Sequence, residues 1–180
     1  MKKLVFFSFL LTSIFLQSCS VMKVSDKKAN GYFTATKSAK ILTELPFELD
    51  DNKQLLVVQN EPFMKGMAEK IGYFDQVITF DELEKEIIKA NMQDEVGSLI
   101  GKIGINTAYR KYKKFLFLKI EREDKNRIQL KLINPETFEE IFIADTKFDL
   151  VWAGVNDNNT FNPLFNALIQ YIKSNSNTFH

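Results

Sequence analysis

One cysteine and one histidine in 180 residues remove most of the usual catalytic repertoire. With Cys19 alone, an intramolecular disulfide is impossible, so packing must supply the stability. His180 stands at the C-terminal end, where a Ser-His-Asp triad, a Cys-His pair or a histidine zinc site would have to be built from a terminus that is expected to fray. Neither a metal nor a cofactor is therefore expected. The chain also lacks a surplus of either charge, with 24 Lys and Arg against 23 Asp and Glu. Nucleic acid and anionic membrane surfaces are bound by basic side chains gathered on one face, so the overall balance points to neither. There is one tryptophan, but seventeen phenylalanines supply ample apolar area for a core.

Long hydrophobic runs are absent as well, apart from one that is apolar or small throughout from Leu4 to Leu16. It follows Met1-Lys2-Lys3 and is too short to span a bilayer permanently, which reads as a secretory signal peptide over residues 1–18. Leu16-Gln17-Ser18-Cys19 then resembles the bacterial lipobox. That resemblance implies cleavage before Cys19 and lipid on its thiol, so the chain would be a membrane-attached lipoprotein. By the same likeness, Ser20 in place of an aspartate implies transfer to the outer membrane, with the domain on the periplasmic face. Loss of Lys2 and Lys3 would leave 22 basic side chains against 23 acidic ones.

Residues 19–30 read as a polar lipidated tether, and the eleven residues after Cys19 reach about 36 to 40 Å when fully extended. Residues 31–175 are long enough for one domain with its own core, and residues 176–180 read as a frayed tail. Gly31–Leu49 suggests an irregular hairpin or edge strand. Gln54–Gln59 is a short apolar run expected to be covered on both faces. Pro62 opens a helix carrying Phe63, Met67 and Ile71 on one side, and Gly72 ends it. Gln76–Phe80 is a strand, after which Asp81 and Glu84 have capping-box spacing for a helix. From Phe115 the hydrophobic period changes from 3.6 to 2, and turns at 123–126 and 134–137 divide the stretch into a three-stranded antiparallel meander. Trp152 and the polar loop 156–159 follow, and Asn162-Pro163 is expected to open the last helix. The fold class is thus a mixed α/β domain of two or three layers, with a βαβα unit, an antiparallel meander and a C-terminal helix.

Between these parts, Gly97, Gly101, Gly104 and Ala108 would line one face of a continuous helix over Asp94–Tyr112, with Val96, Ile100, Ile103 and Thr107 beside them. Interior glycines cost roughly 1 kcal/mol each, so close packing on the sheet or a sister helix is expected to offset them. A groove for a partner segment and a broken helix are the alternatives. Gly97–Gly104 has the wrong glycine spacing for a phosphate loop, and Ile103 stands where that loop needs a hydroxyl. Asp145-Thr146 lacks the glycine of an aspartic-protease turn. Glu82, Glu84 and Glu86 spread around a helix, and Glu139-Glu140 point to opposite sides of a strand, whereas a glycosidase needs two convergent carboxylates.

Leu55–Val58, Gly72–Ile78 followed by Asp81–Glu84, and Leu130–Thr137 are similar to a family of periplasmic α/β domains. The family includes the curli-export lipoprotein, lipoprotein activators of penicillin-binding proteins and the N-terminal domain of the Tol propeller protein. Phe138 stands where that family has glycine, and Phe80 where it has arginine or lysine. The resemblance implies a domain that binds proteins and is not an enzyme. The expected role is therefore a lipid-anchored binding or accessory module of the cell envelope with a protein partner. A carboxylate-based enzyme acting on glycans, or a subunit of an export assembly, is the alternative, and the oligomeric state is open.

Overall fold

Leu55, Leu56, Val57 and Val58 are all wholly buried, because the strand Leu56–Val58 and the residue leading into it have a helical layer on each side. The computed structural model describes residues 24–151, 154–155 and 157–179. Cys19, Trp152 and His180 lie outside them, and so does Asn156 of the loop expected at 156–159, whose other three residues begin the last helix.

Strands β1 (Lys40–Glu44), β2 (Leu56–Val58), β3 (Val77–Thr79), β4 (Leu116–Arg122), β5 (Arg127–Ile133) and β6 (Glu140–Lys147) form one mixed sheet in the order β1-β6-β5-β4-β2-β3. β2 runs parallel to both β3 and β4, and the remaining pairs are antiparallel. A small pair, β7 (Leu150–Val151) and β8 (Gly154–Val155), stands apart. The helices are α1 (Pro62–Ile71), α2 (Phe80–Lys89), α3 (Gln93–Val96), α4 (Gly101–Lys111) and α5 (Asp157–Asn175).

Alternation along the strands sends side chains to two cores. Leu56, Val58, Leu116, Leu118, Leu130, Leu132 and Phe142 meet α1 and α5 on one face. On the other, Leu55, Val57, Ile78 and Phe115 meet Leu83 and Ile87 of α2, Val96 of α3, and Ala108 and Tyr109 of α4. Three layers therefore cover the parallel end. Toward β1 the second face instead carries Lys119, Glu121, Lys131 and Glu140, linked as ion pairs. Burial opposes the Lys131 charge, but its hydrogen bonds to Glu121 and Glu140 outweigh that and hold its pKa above the ordinary value.

Four expectations change. The cap of α2 is Thr79, whose hydroxyl accepts from Glu82 N while the Glu82 carboxylate accepts from Thr79 N at 2.8 Å, so the capping box sits two residues earlier than Asp81 and Glu84. Helix α5 begins before Pro163 and contains it. The carbonyl of Asn159, which loses its helical donor to the proline ring, accepts instead from the Thr146 hydroxyl at 3.5 Å. The tether expected through residue 30 is folded from residue 24: Lys27 donates to the C-terminal carbonyl of Ile71 at 2.8 Å, Lys70 pairs with Asp26, and Val24 lies on Gly66. The tail expected to fray from residue 176 is instead clamped by Asp50. One Asp50 oxygen accepts from Tyr73, Ser176 and Thr178, the other from the Asn177 amide at 2.8 Å, and Phe179 packs edge-on against Tyr73.

Candidate functional site

The parallel strands β2 and β4 are neighbours, yet β2 leads into α1 on one face and β4 into the hairpin with β5. Such a change of direction leaves a crevice beyond the carboxyl ends of the strands. Here it is a cavity of about 580 Å³, lined by Gln59, Asn60 and Glu61 just after β2 and by an apolar wall. Phe63 and Met64 come from the first turn of α1, Ile120 and Ile128 from β4 and β5, and Phe161 from α5; Phe148, which follows β6, completes the wall.

Five of the lining residues are held by specific contacts. Gln59 extends the sheet beyond β2 by accepting from Ile120 N at 2.9 Å. Asn60 brackets Asp81, accepting from its amide at 2.8 Å and donating to its carboxylate at 2.6 Å, so the loops after β2 and β3 are tied together. Phe63 and Phe161 pack as tilted rings 4.9 Å apart, and the Arg122 guanidinium lies 5.0 Å from the Phe148 ring. The result is a preformed apolar recess with amides and one carboxylate at its rim. Such a recess accepts an apolar side chain or a small apolar molecule.

Two smaller grooves lie on the α5 side. One, of about 380 Å³, is lined by Lys28, Asn30, Thr36, Lys37 and Ser38 against Asn166 and Gln170. Its central amide is already engaged, because Asn166 accepts from Phe33 N and donates to Phe33 O. The other, of about 390 Å³, lies between β1 and α5 and includes Ile41, Phe142 and Tyr171.

The carboxylates are arranged differently from a general-acid pair, which needs a raised pKa in a cleft. Where a carboxylate shift is resolved among the described residues, it is downward. Ser176 heads the donors that hold Asp50 below the ordinary range, Lys65 does so for Glu82, and Lys131 followed by Lys119 for Glu121. Asp145 is buried under Arg127, which holds it by three hydrogen bonds of 2.7 to 3.2 Å.

The four small residues expected on one contact face are divided. Gly97 closes α3 and Gly101 opens α4, each exposed with open space above it and with left-handed φ of +72° and +81°. The helix expected over Asp94–Tyr112 is therefore broken between them. Gly104 and Ala108 are buried. A Cβ on Gly104 would stand 1.8 Å from the Ser98 carbonyl oxygen, so the close approach is made by the interrupting loop itself, a contact inside the domain. The break also turns Ile100 and Ile103 outward, 90% and 86% exposed.

The recess was not singled out in the sequence, since its walls come from five separate places along the chain. The one local signal is Gln59-Asn60-Glu61, a polar stop directly after a wholly buried strand. Comparisons of the chain with protein-family models, with curated proteins and with solved structures find no match.

Proposed function

We propose that the chain is a lipoprotein of the cell envelope, anchored at the outer membrane through lipid on Cys19, whose periplasmic domain binds a protein partner. The observation that carries the binding role is the apolar recess at the end of β2, walled by Phe63, Met64, Ile120, Ile128, Phe148 and Phe161. Burial of an apolar side chain there contributes roughly 1.5 to 3 kcal/mol, enough for an anchoring contact at the centre of an interface. The downward carboxylate shifts favour this reading over the glycan-acting enzyme. The order of charged start, apolar run and Cys19 supports the anchor. The similarity to periplasmic α/β domains that bind proteins supports the rest.

The test pairs two variants. Cys19→Ala is expected to abolish labelling by a fatty-acid analogue and release the domain from membranes, once chains retaining their first 18 residues are excluded. Phe148→Asp makes one wall of the recess charged, and is expected to keep membrane attachment and a cooperative thermal transition at a somewhat lower temperature, while losing the partner crosslinked to the wild-type chain in intact envelopes. An acylation-independent membrane fraction sinks the anchor. An unchanged crosslinking pattern for Phe148→Asp sinks the recess.

A further inference from the structure

We propose that the outward face of α4 is a second docking surface, built for an acidic protein segment that also carries apolar side chains. The inference rests on the reading of the chain as an anchored binding module and names the chemistry of what that module meets.

Ile100 and Ile103 are the most exposed large hydrophobic residues described, at 90% and 86%. The domain covers little of either, and the backbone that carries them is set by the Ser98 carbonyl seated on Gly104, one turn into the helix. At 100° per residue, Ile103, Thr107 and Arg110 fall on one stripe of α4, with Lys111 at its edge; Ile100 directly precedes the helix and Lys114 follows it. The face is thus apolar at its N-terminal end and basic at its C-terminal end.

The charge is a local property that the whole-chain balance conceals. From Val96 to Ile120 there is no Asp or Glu, while Lys102, Arg110, Lys111, Lys113 and Lys114 all precede β4. Lys113 donates to Gln76 at 3.0 Å, and Lys102 lies 5.4 Å from the Phe138 ring. Arg110, Lys111 and Lys114 are exposed and form no ion pair among the described residues, whereas Lys65, Lys119, Arg127 and Lys131 all do. An unpaired basic cluster beside an apolar pair is complemented by carboxylates placed roughly 10 Å, about two helical turns, from apolar anchors.

Position in the fold favours a protein over a bilayer. Val24 lies on α1, in the layer across the sheet from α4. The five residues Cys19–Lys23 precede it, a reach of about 17 Å at full extension. A domain anchored there presents α4 away from the membrane that holds it.

The test places the photoreactive residue p-benzoylphenylalanine at position 103 of the full chain and irradiates intact cells. The expected product is a discrete protein adduct whose crosslinked peptide is rich in Asp and Glu. Its yield is expected to fall about fivefold or more in a chain also carrying Arg110→Glu and Lys111→Glu, at unchanged melting temperature. The same probe at Glu69, exposed on α1, is expected to give no such adduct. Adducts to lipid, no adduct, a yield indifferent to the charge reversal, or an equal yield from position 69 each overturn the proposal. Fractionation of the same cells reads the anchor separately: a membrane-bound chain without the adduct removes only this surface, and a soluble chain with it removes only the anchor.

Discussion

Gly104 and Gly101 differ in what a side chain would meet, and that difference is measurable. Gly104→Ala forces a Cβ against the Ser98 carbonyl, so the loop must move, and we expect a loss of roughly 1 to 3 kcal/mol with a lower melting temperature. Gly101→Ala meets nothing, and its cost is limited to the left-handed backbone, roughly 1 to 2 kcal/mol. If Gly104→Ala unfolds no more easily than Gly101→Ala in denaturant, the Ser98 contact is not what the glycine serves. Phe138 shows the same constraint met differently: it holds φ +61° at the end of the β5–β6 turn, with Lys102 beside its ring, at the position where glycine is expected by resemblance. Asp50 gathers four donors from Tyr73 and the C-terminal residues, Ser176 foremost, and its folded pKa is depressed. Its contribution is therefore whole above the unfolded value of ~3.9 and is lost as the pH falls below that toward the folded pKa. Thermal melts of wild type and Asp50→Asn across that range should converge at low pH, and parallel curves would remove Asp50 as the clamp.

At the scale of elements, the helix starts carry separable contributions. Thr79→Ala removes one half of the α2 capping box and is expected to cost about 1 kcal/mol. Because Glu82 also pairs with Lys65 at 2.7 Å, Glu82→Ala should lower stability through both the cap of α2 and the link to α1, and a double-mutant cycle with Lys65→Met would apportion the two. Helix α5 is held by its packing, since Leu164, Phe165, Leu168 and Ile172 are all wholly buried and Tyr171 stacks on Phe142 at 4.8 Å. Phe165→Ala is expected to cost about 3 to 5 kcal/mol, seen as a shifted midpoint in urea with an unchanged slope. The edge strand β1 has a register shift between Ile41 and Thr43, an irregularity that discourages edge-to-edge pairing with a second sheet.

At the scale of the whole molecule, the two helical layers divide the work. The layer of α1 and α5 receives the N-terminal segment at Gly66 and holds the apolar recess. The layer of α2, α3 and α4 exposes the basic face with Ile100 and Ile103. With the proposed anchor, a domain of this design would hold one proposed partner near the membrane side and meet the other beyond it. The recess and the α4 face should then be independent: Phe148→Asp is expected to leave the position-103 adduct intact, and loss of both together in a folded protein would merge them into one interface.

Periodicity alone determined much of this protein. The change from period 3.6 to 2 at Phe115 marks β4, and the turns at 123–126 and 134–137 divide the meander, because strand registers follow local alternation. Pro62 and Gly72 bound α1 by their own backbone preferences. Composition and the order around Cys19 set the expectations about chemistry and address. Contacts between distant residues decided what remained. Gly97 to Ala108 has helical spacing throughout, yet the chain breaks there because left-handed glycines let the 97–100 loop fold back onto Gly104. The ends, polar enough to read as a tether and a frayed tail, are held because a helix C-terminus accepts from Lys27 and Asp50 accepts from residues more than a hundred positions away. The recess has no local pattern, since a cavity exists only where separate elements leave space between them.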